Sequence, residues 1–320
     1  MSEIQTIEPA ARAAEEPAAG PKGGRFLFSS WHLVLIPIAV VMVIPLVWMV
    51  VTSLQTLDET RHYPPSLVPT SLQFRNYTDV LQQAPFARWF VNTLLVTLAC
   101  VAGNLLFCSL AGYAFARIRF FGREVAFILI LATLMVPFQV VIIPTFLIVR
   151  SFHLIDTLGA LILPNLAGAF GIFMLRQFFR TLPVELEEAA RIDGASRLGI
   201  LFKIVLPLSG PALATLAVIT FMWTWNDFLW PLITIYNPNN MTLQLGLATF
   251  QGAHQTNTNL LMAANVMSML PVLLLFFVAQ RYFVRGIATT GLKGAGRGSG
   301  EADVGLDRDR RQRGERRDAT

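Results

Sequence analysis

Residues 187–207 read EEAARIDGASRLGILFKIVLP. Glu187, Glu188, Arg191, Asp193 and Arg197 crowd its first half, yet long apolar runs lie on both sides of it. Local signals divide the stretch into a helix, a break and a second helix. Pro183 suits a first helical turn, and Glu185, Glu187 and Glu188 follow where the helix dipole favours negative charge. Glu187 and Arg191 stand at i and i+4, a supportive pair. Gly194 supplies the stop, because glycine takes the left-handed cap most easily. Ser196 is placed to cap the next helix, whose Leu198, Leu201, Phe202 and Val205 at i, i+3, i+4 and i+7 predict one apolar stripe. Leu206 and Pro207 close it. The product is a helical elbow with small residues, Ala189, Ala190, Gly194 and Ala195, at its bend, where another backbone can come close. Two physical readings stand: an acidic knob presented to a partner, or a helix pair lying on a membrane surface.

The runs on either side decide the environment. Apolar residues make up 54% of the 320-residue chain, charged ones only 14%, and the mean hydropathy is +0.55. Too little polar material exists to cover a soluble globule of this size. A helix needs roughly 20 apolar residues to cross a bilayer core, and six stretches qualify: 31–54, 90–116, 124–149, 158–179, 209–235 and 259–284. Barrel strands would read as short alternating segments instead, so the expectation is an all-α membrane protein of six transmembrane helices. The acidic residues before the first span and its length favour a retained helix over a cleaved signal.

Lys and Arg near helix ends stay on the cytoplasmic side. With the amino terminus inside, 21 of the 25 Lys and Arg fall on inner segments, and only Arg61, Arg75, Arg88 and Arg150 fall outside. Both termini, and the elbow, are therefore expected to be cytoplasmic. Residues 1–30 read as a disordered arm, 31–54 as the first transmembrane helix, 55–89 as an outer segment, 90–285 as a five-helix core carrying the elbow at 181–207, and 286–320 as a cytoplasmic tail, disordered at its end. The outer segment 237–258, NPNNMTLQLGLATFQGAHQTNT, is uncharged and amide-rich. Pro137, Pro144, Pro164, Pro231 and Pro271 interrupt the spans, as where helices bend around a path.

Asp227 is the only acid well inside a span. Such a carboxylate is costly and usually faces an interior or a water-filled path. Thr220, Thr224 and Asp227 at i, i+4 and i+7 give the fifth helix one polar stripe, beside Asn226. The stripe either lines a translocation path or places Asp227 as a cap near the helix end. Trp223, Trp225 and Trp230 suit stacking on sugar faces or an interfacial belt. Cys100 and Cys108 read as small packing residues, and the scattered histidines carry no metal-ligand spacing. In Gly291–Gly300 the spaced pair Gly291 and Gly296 is followed by Arg297 and Gly298 where a phosphate loop needs Lys and Ser or Thr, so no nucleotide cofactor is expected on this chain. The run DRDRRQRGERR interleaves acids with bases and reads as a solvated tail, not a nucleic-acid site.

Glu188, Ala189, Ala190, Asp193, Gly194, Ala195, Phe202, Ile204, Leu206 and Pro207 fill, at the right spacing, the pattern of the EAA loop, and the chain resembles the permeases of ABC importers in carrying it. NTLLVT from Asn92, WNDFLWPL from Trp225 and QRYFVRGIATTGLKG from Gln280 resemble the maltose-type, carbohydrate-importing branch. The resemblance implies the type I importer permease fold in a bacterial cytoplasmic membrane. It also implies that Glu188, Ala189, Ala190, Asp193, Gly194 and Ala195 dock on a separate ATPase. The implied partners are a second homologous permease, a dimer of cytoplasmic ABC ATPase that binds the ATP and Mg, and an extracytoplasmic solute-binding protein. The alternatives are a permease for polyamine, phosphate or glycerol phosphate, and an ATP-independent channel or carrier. The last would have no use for a docking elbow and would want more ionisable groups in the bilayer.

Overall fold

A computed structural model describes residues 31–64, 66, 68–251 and 257–295, with side chains as far as residue 280. The expected amino-terminal arm and the end of the tail lie outside the described residues. Among those described the structure is helical, without strands. Helix α1 (His32–Ser53) leads to the short α2 (Leu57–Arg61) and α3 (Arg75–Gln83), then to the long α4 (Phe86–Arg117). Next come α5 (Arg123–Thr133), α6 (Phe138–Ser151), α7 (Leu158–Ile162) and α8 (Ala169–Thr181). The elbow forms α9 (Glu185–Ile192), α10 (Arg197–Ile200) and α11 (Leu206–Leu208) and runs into α12 (Gly210–Trp225). Helices α13 (Leu229–Thr234), α14 (Leu243–Ala248) and α15 (Thr258–Ala295) follow.

The chain divides into two compact units, Met1–Val47 and Trp48–Thr320. In the first, Leu33, Val34, Leu35, Val40, Val41 and Met42 are all exposed, so the helix is apolar all round, as suits lipid. Within the second unit α4 is the axis, packed along α8 and α12. Small residues let these helices close up: a Cβ on Gly171 would sit 2.8 Å from the Cys108 Sγ, and one on Gly112 3.1 Å from the Arg176 backbone. Cys100 and Cys108 are free thiols buried in these seams. One apolar cluster, around Cys108, Leu175, Phe179, Ile200, Leu201 and Leu216, underlies the elbow; another gathers Phe86, Trp89, Trp225, Leu243 and Leu261 near the start of α4.

Among the described residues four segments are long and apolar enough to cross a membrane: His32–Ser53, Phe86–Arg117, Leu158–Thr181 and Thr258–Gln280. Two helix pairs, Arg123–Thr133 with Phe138–Ser151 and Arg197–Leu208 with Gly210–Trp225, bend by 103° and 83°, and the total is six if each counts as one span. The third span is thus broken, at one of the prolines expected to interrupt it. Pro137 sits in the break with extended backbone, φ −60° and ψ 139°, because it has no N–H for a helix and disfavours helical backbone in the residue before it. The fifth span is also shorter than expected, since α12 stops at Trp225 and a turn separates it from α13. At the other end α15 runs on to Ala295, so residues expected in the tail are helical.

The segments between spans are stitched down by side chains. The Asn76 amide donates to the carbonyls of Ser53 (2.8 Å) and Gln55 (2.9 Å), and Glu59 accepts from the backbone N–H of Thr56 (2.7 Å) and Thr70 (2.8 Å) as well as from both threonine hydroxyls. The segment 237–258 is less open than its polar composition implies. Leu243, Leu245 and Leu247 are buried, while the Trp89 indole donates to the Pro238 carbonyl at 2.8 Å and the Asn92 amide to those of Asn239 (2.8 Å) and Met241 (3.0 Å). Of its described residues, Asn237, Pro238 and Asn239 stay exposed at the turn.

Candidate functional site

The elbow is built largely as its sequence indicates. Gly194 has φ +81°, its N–H donates to the Arg191 carbonyl at 3.0 Å, and the Ala195 N–H reaches back to Ala190 at 2.9 Å. That pair of bonds is a Schellman cap, which needs a residue at ease with left-handed backbone. The Ser196 hydroxyl accepts from the Gly199 N–H at 3.1 Å and starts α10. Glu188, Ala189, Asp193, Gly194 and Ala195 are exposed and Ala190 is half-buried, so the six EAA residues sit together around one turn. Around them Ile192 is 87% and Leu198 59% exposed, apolar side chains that water alone does not favour.

Two readings of this stretch are corrected. The apolar stripe splits, because residues 201–205 form a π-helical turn whose wider pitch rotates the side chains out of phase. Leu201 and Val205 are buried while Leu198 and Phe202 face outward. Nor does Glu187 pair with Arg191. It turns inward, 2% exposed, with Oε1 2.7 Å from the Arg117 Nε and Oε2 accepting from the Tyr113 hydroxyl at 3.0 Å. Arg117 also donates to the carbonyls of Phe179 (2.7 Å) and Leu182 (2.6 Å). This buried ion pair fastens the first arm of the elbow to the end of α4 and to the end of α8. A second tie lies beside it: Arg176 is buried, donates to Glu124 at 3.0 Å and to the Phe115 carbonyl at 3.2 Å, and lies 3.8 Å over the Phe127 ring. In the sequence Arg117 and Arg176 count only among the inner-side bases. Arg117 ends α4, whereas Arg176 lies in the middle of α8 among apolar neighbours, a place that a lone base takes when it has a partner.

A cavity of about 650 Å³ opens between α4, α6, α8 and α12. Thr220, Thr224 and Asp227 all line it, joined by Asn104, Asn165 and Trp223. Asn226 does not: it is exposed, with its amide donating to the Met222 carbonyl at 2.8 Å. Asp227 lines the cavity while its Oδ1 accepts from the Trp230 N–H at 3.4 Å, at the start of α13. The tryptophans separate. Trp225 and Trp230 are buried and donate to the carbonyls of Ser268 (3.2 Å) and Ala160 (2.9 Å), whereas Trp223 is 66% exposed with Phe170 against it. Asn104 and Asn165 carry no sequence signal, because single amides in apolar runs are common; their place in one cavity lining with Asp227, Asn104 buried and Asn165 exposed, is a tertiary fact.

Bent membrane helices around a largely apolar cavity that carries a few polar groups, with an exposed braced elbow at one end, are the build of a membrane transport subunit. The chain belongs to the family of binding-protein-dependent transport system inner membrane components, whose model it matches over residues 105–289. It is 37% identical over 260 residues to the arabinooligosaccharides transport system permease protein AraQ of Halalkalibacterium halodurans, covering 80% of this chain and 93% of that one. To the sn-glycerol-3-phosphate transport system permease protein UgpE of Pectobacterium atrosepticum it is 40% identical over 242 residues, 72% of this chain and 86% of the relative. Among solved structures it resembles a chain of a bacterial ABC transporter involved in the import of the acidic polysaccharide alginate, with a TM-score of 0.71, 27% identity and coverage of 80% of this chain and 99% of that one. The type I importer permease fold is thus established, and with it a place in the inner membrane.

Proposed function

We propose that this chain is the permease subunit of an ATP-binding-cassette importer for a sugar or oligosaccharide, with residues 181–207 as the element through which a separate ATPase acts. The observation that carries this is the elbow. Glu188, Asp193 and the exposed Ile192 and Leu198 form a knob around a small-residue bend, held rigidly from beneath by the Glu187–Arg117 pair. A rigid, exposed, mixed polar and apolar knob is what a docking cleft requires. ATP and Mg are then bound by the ATPase dimer, and this chain contributes no catalytic group. ATP can shift the permease between its two facing states only by contacting them differently, and the elbow is where that difference enters. A second homologous permease completes the path, a solute-binding protein delivers the sugar near the exposed turn at Asn237–Asn239, and both termini lie in the cytoplasm.

A second reading, import of an organophosphate, is favoured by the identity to the glycerol-phosphate permease. The test of coupling is common to both. In proteoliposomes with the full set of subunits, uptake should need ATP and the ATPase, and Glu188→Lys and Gly194→Val should abolish it. Since a Cβ at Gly194 would meet nothing within 4 Å, the valine acts through backbone strain of about 1–2 kcal/mol, enough to reshape the cap without unfolding the bundle. Both variants should reach the membrane at the normal level and should bind the ATPase more weakly. Wild-type uptake by either variant, or uptake without the ATPase, would remove the elbow from this role.

A further inference from the structure

The cavity carries one formal charge and it is negative. Among its lining residues Asp227 is the sole ionisable side chain, and no Lys, Arg or His lines it. Asp227 uses Oδ1 on the Trp230 N–H; its Oδ2 has no protein partner among the described residues. The same lining carries neutral polar groups, the Thr220 and Thr224 hydroxyls and the Asn104 and Asn165 amides, whose N–H groups already donate to the carbonyls of Cys100, Asn165 and Leu161. Of those two threonines Thr220 is buried. On one wall Trp223 presents an indole whose N–H is unused by the protein, and Phe138 and Phe170 add ring surface.

We infer that this cavity is a subsite for an uncharged sugar unit, with Asp227 accepting sugar hydroxyls, Trp223 stacking on the ring face and the carboxylate excluding anionic solutes. The inference rests on the importer reading above and narrows its substrate class. A carboxylate that accepts two hydroxyls forms charge-assisted bonds, which suit the hydroxyls of a polyol and offer nothing to the anionic oxygens of a phosphate or a carboxylate. In a site walled by helices, an anion beside Asp227 meets like charge with no base in the lining to offset it. The volume fits the reading, being within the range of small-molecule sites. Although relatives include a permease of a glycerol-phosphate system and a neighbour of an alginate importer, this chain's own lining speaks for the neutral class.

The test is a titration of the permease–ATPase complex in nanodiscs, without the binding protein, following tryptophan fluorescence. The probes are arabinotriose and maltotriose as neutral sugars, glycerol 3-phosphate as an anion and spermidine as a cation. At least one neutral sugar should quench the signal saturably, and Trp223→Phe should remove most of the quench. Asp227→Asn, which keeps the volume, should weaken that sugar by about tenfold or more, the loss expected for a bond to a charged group. The same variant should gain affinity for glycerol 3-phosphate, which wild type should not bind. Co-purification of the ATPase shows that each variant is assembled. Tighter binding of glycerol 3-phosphate or spermidine than of both sugars in the wild type would overturn the inference, as would unchanged sugar affinity in Asp227→Asn or no saturable binding of either sugar. Elbow variants that uncouple ATP from uptake leave this titration unaffected, so the two readings fail separately.

Discussion

At the scale of the residue, Gly194 and Glu59 show how differently local chemistry can be read. Gly194 was visible because a helix with acids in its first turn and a glycine after its last has few other ways to end. Glu59 was not. It closes a capping box with Thr56, since Leu57–Arg61 begins there, and it reaches across to Thr70, a partner eleven residues away that no short-range pattern picks out. The Thr70 hydroxyl first, and then the backbone N–H groups of Thr56 and Thr70, hold its carboxyl down from an ordinary 4.5 to about 2. A depressed carboxyl stabilises the fold while it is ionised. The contribution is complete above about 4.5 and is lost as pH falls toward 2. Hydrogen exchange should therefore show the Thr70 amide losing protection, relative to its intrinsic rate, as pH is lowered through that window. Glu59→Gln should show weak protection already at neutral pH and little further change on acidification; a pH response equal to wild type would mean that another group holds the loop.

At the scale of the element, the break in the third span and the brace under the elbow lay beyond sequence for related reasons. Pro137, Pro144 and Pro271 look alike in an apolar run, yet Pro144 and Pro271 remain inside helices and only Pro137 marks a break. Neighbouring helices can absorb a lost bond in one place and not another, and sequence does not list neighbours. Glu187 likewise had a plausible helical partner in Arg191, but the tertiary partner Arg117 won. Its side chain is 10% exposed and it serves two carbonyls as well as the carboxylate. Removing one member of a buried pair leaves the other charged and unpaired, at a cost of about 3–5 kcal/mol. Glu187→Ala should thus lower the thermal midpoint of the complex and open the elbow to proteolysis. The double change Glu187→Leu with Arg117→Met should recover much of the midpoint, since apolar replacements of similar volume are often tolerated. A double variant as unstable as the sum of the singles would show that the two groups act independently.

At the scale of the whole molecule, the membrane class and most span positions were legible because apolar runs of span length leave few alternatives. The cavity was legible only as a polar stripe on one helix; Asn104 and Asn165 joined it through packing. The proposed orientation rests on the bases, 21 of 25 of which it places on the inner side. An impermeant maleimide added from outside intact cells should label a cysteine placed at Asn239, exposed in the turn after α13, and should miss one at Ser196. The reverse pattern would invert the topology and remove the elbow from the cytoplasm.

Helix α4 spans Phe86–Arg117, 32 residues, which at 1.5 Å per residue is a rod of about 48 Å. One end is clamped to the elbow through Arg117, and the other grips the Pro238–Met241 turn through Trp89 and Asn92. Such a rod is a lever. Pivoting by about 10° around the elbow would carry its far tip through about 8 Å for the same ~48 Å length. A small rotation on one side of the bilayer thus becomes a displacement of several side-chain widths on the other, without any intermediate joint between them.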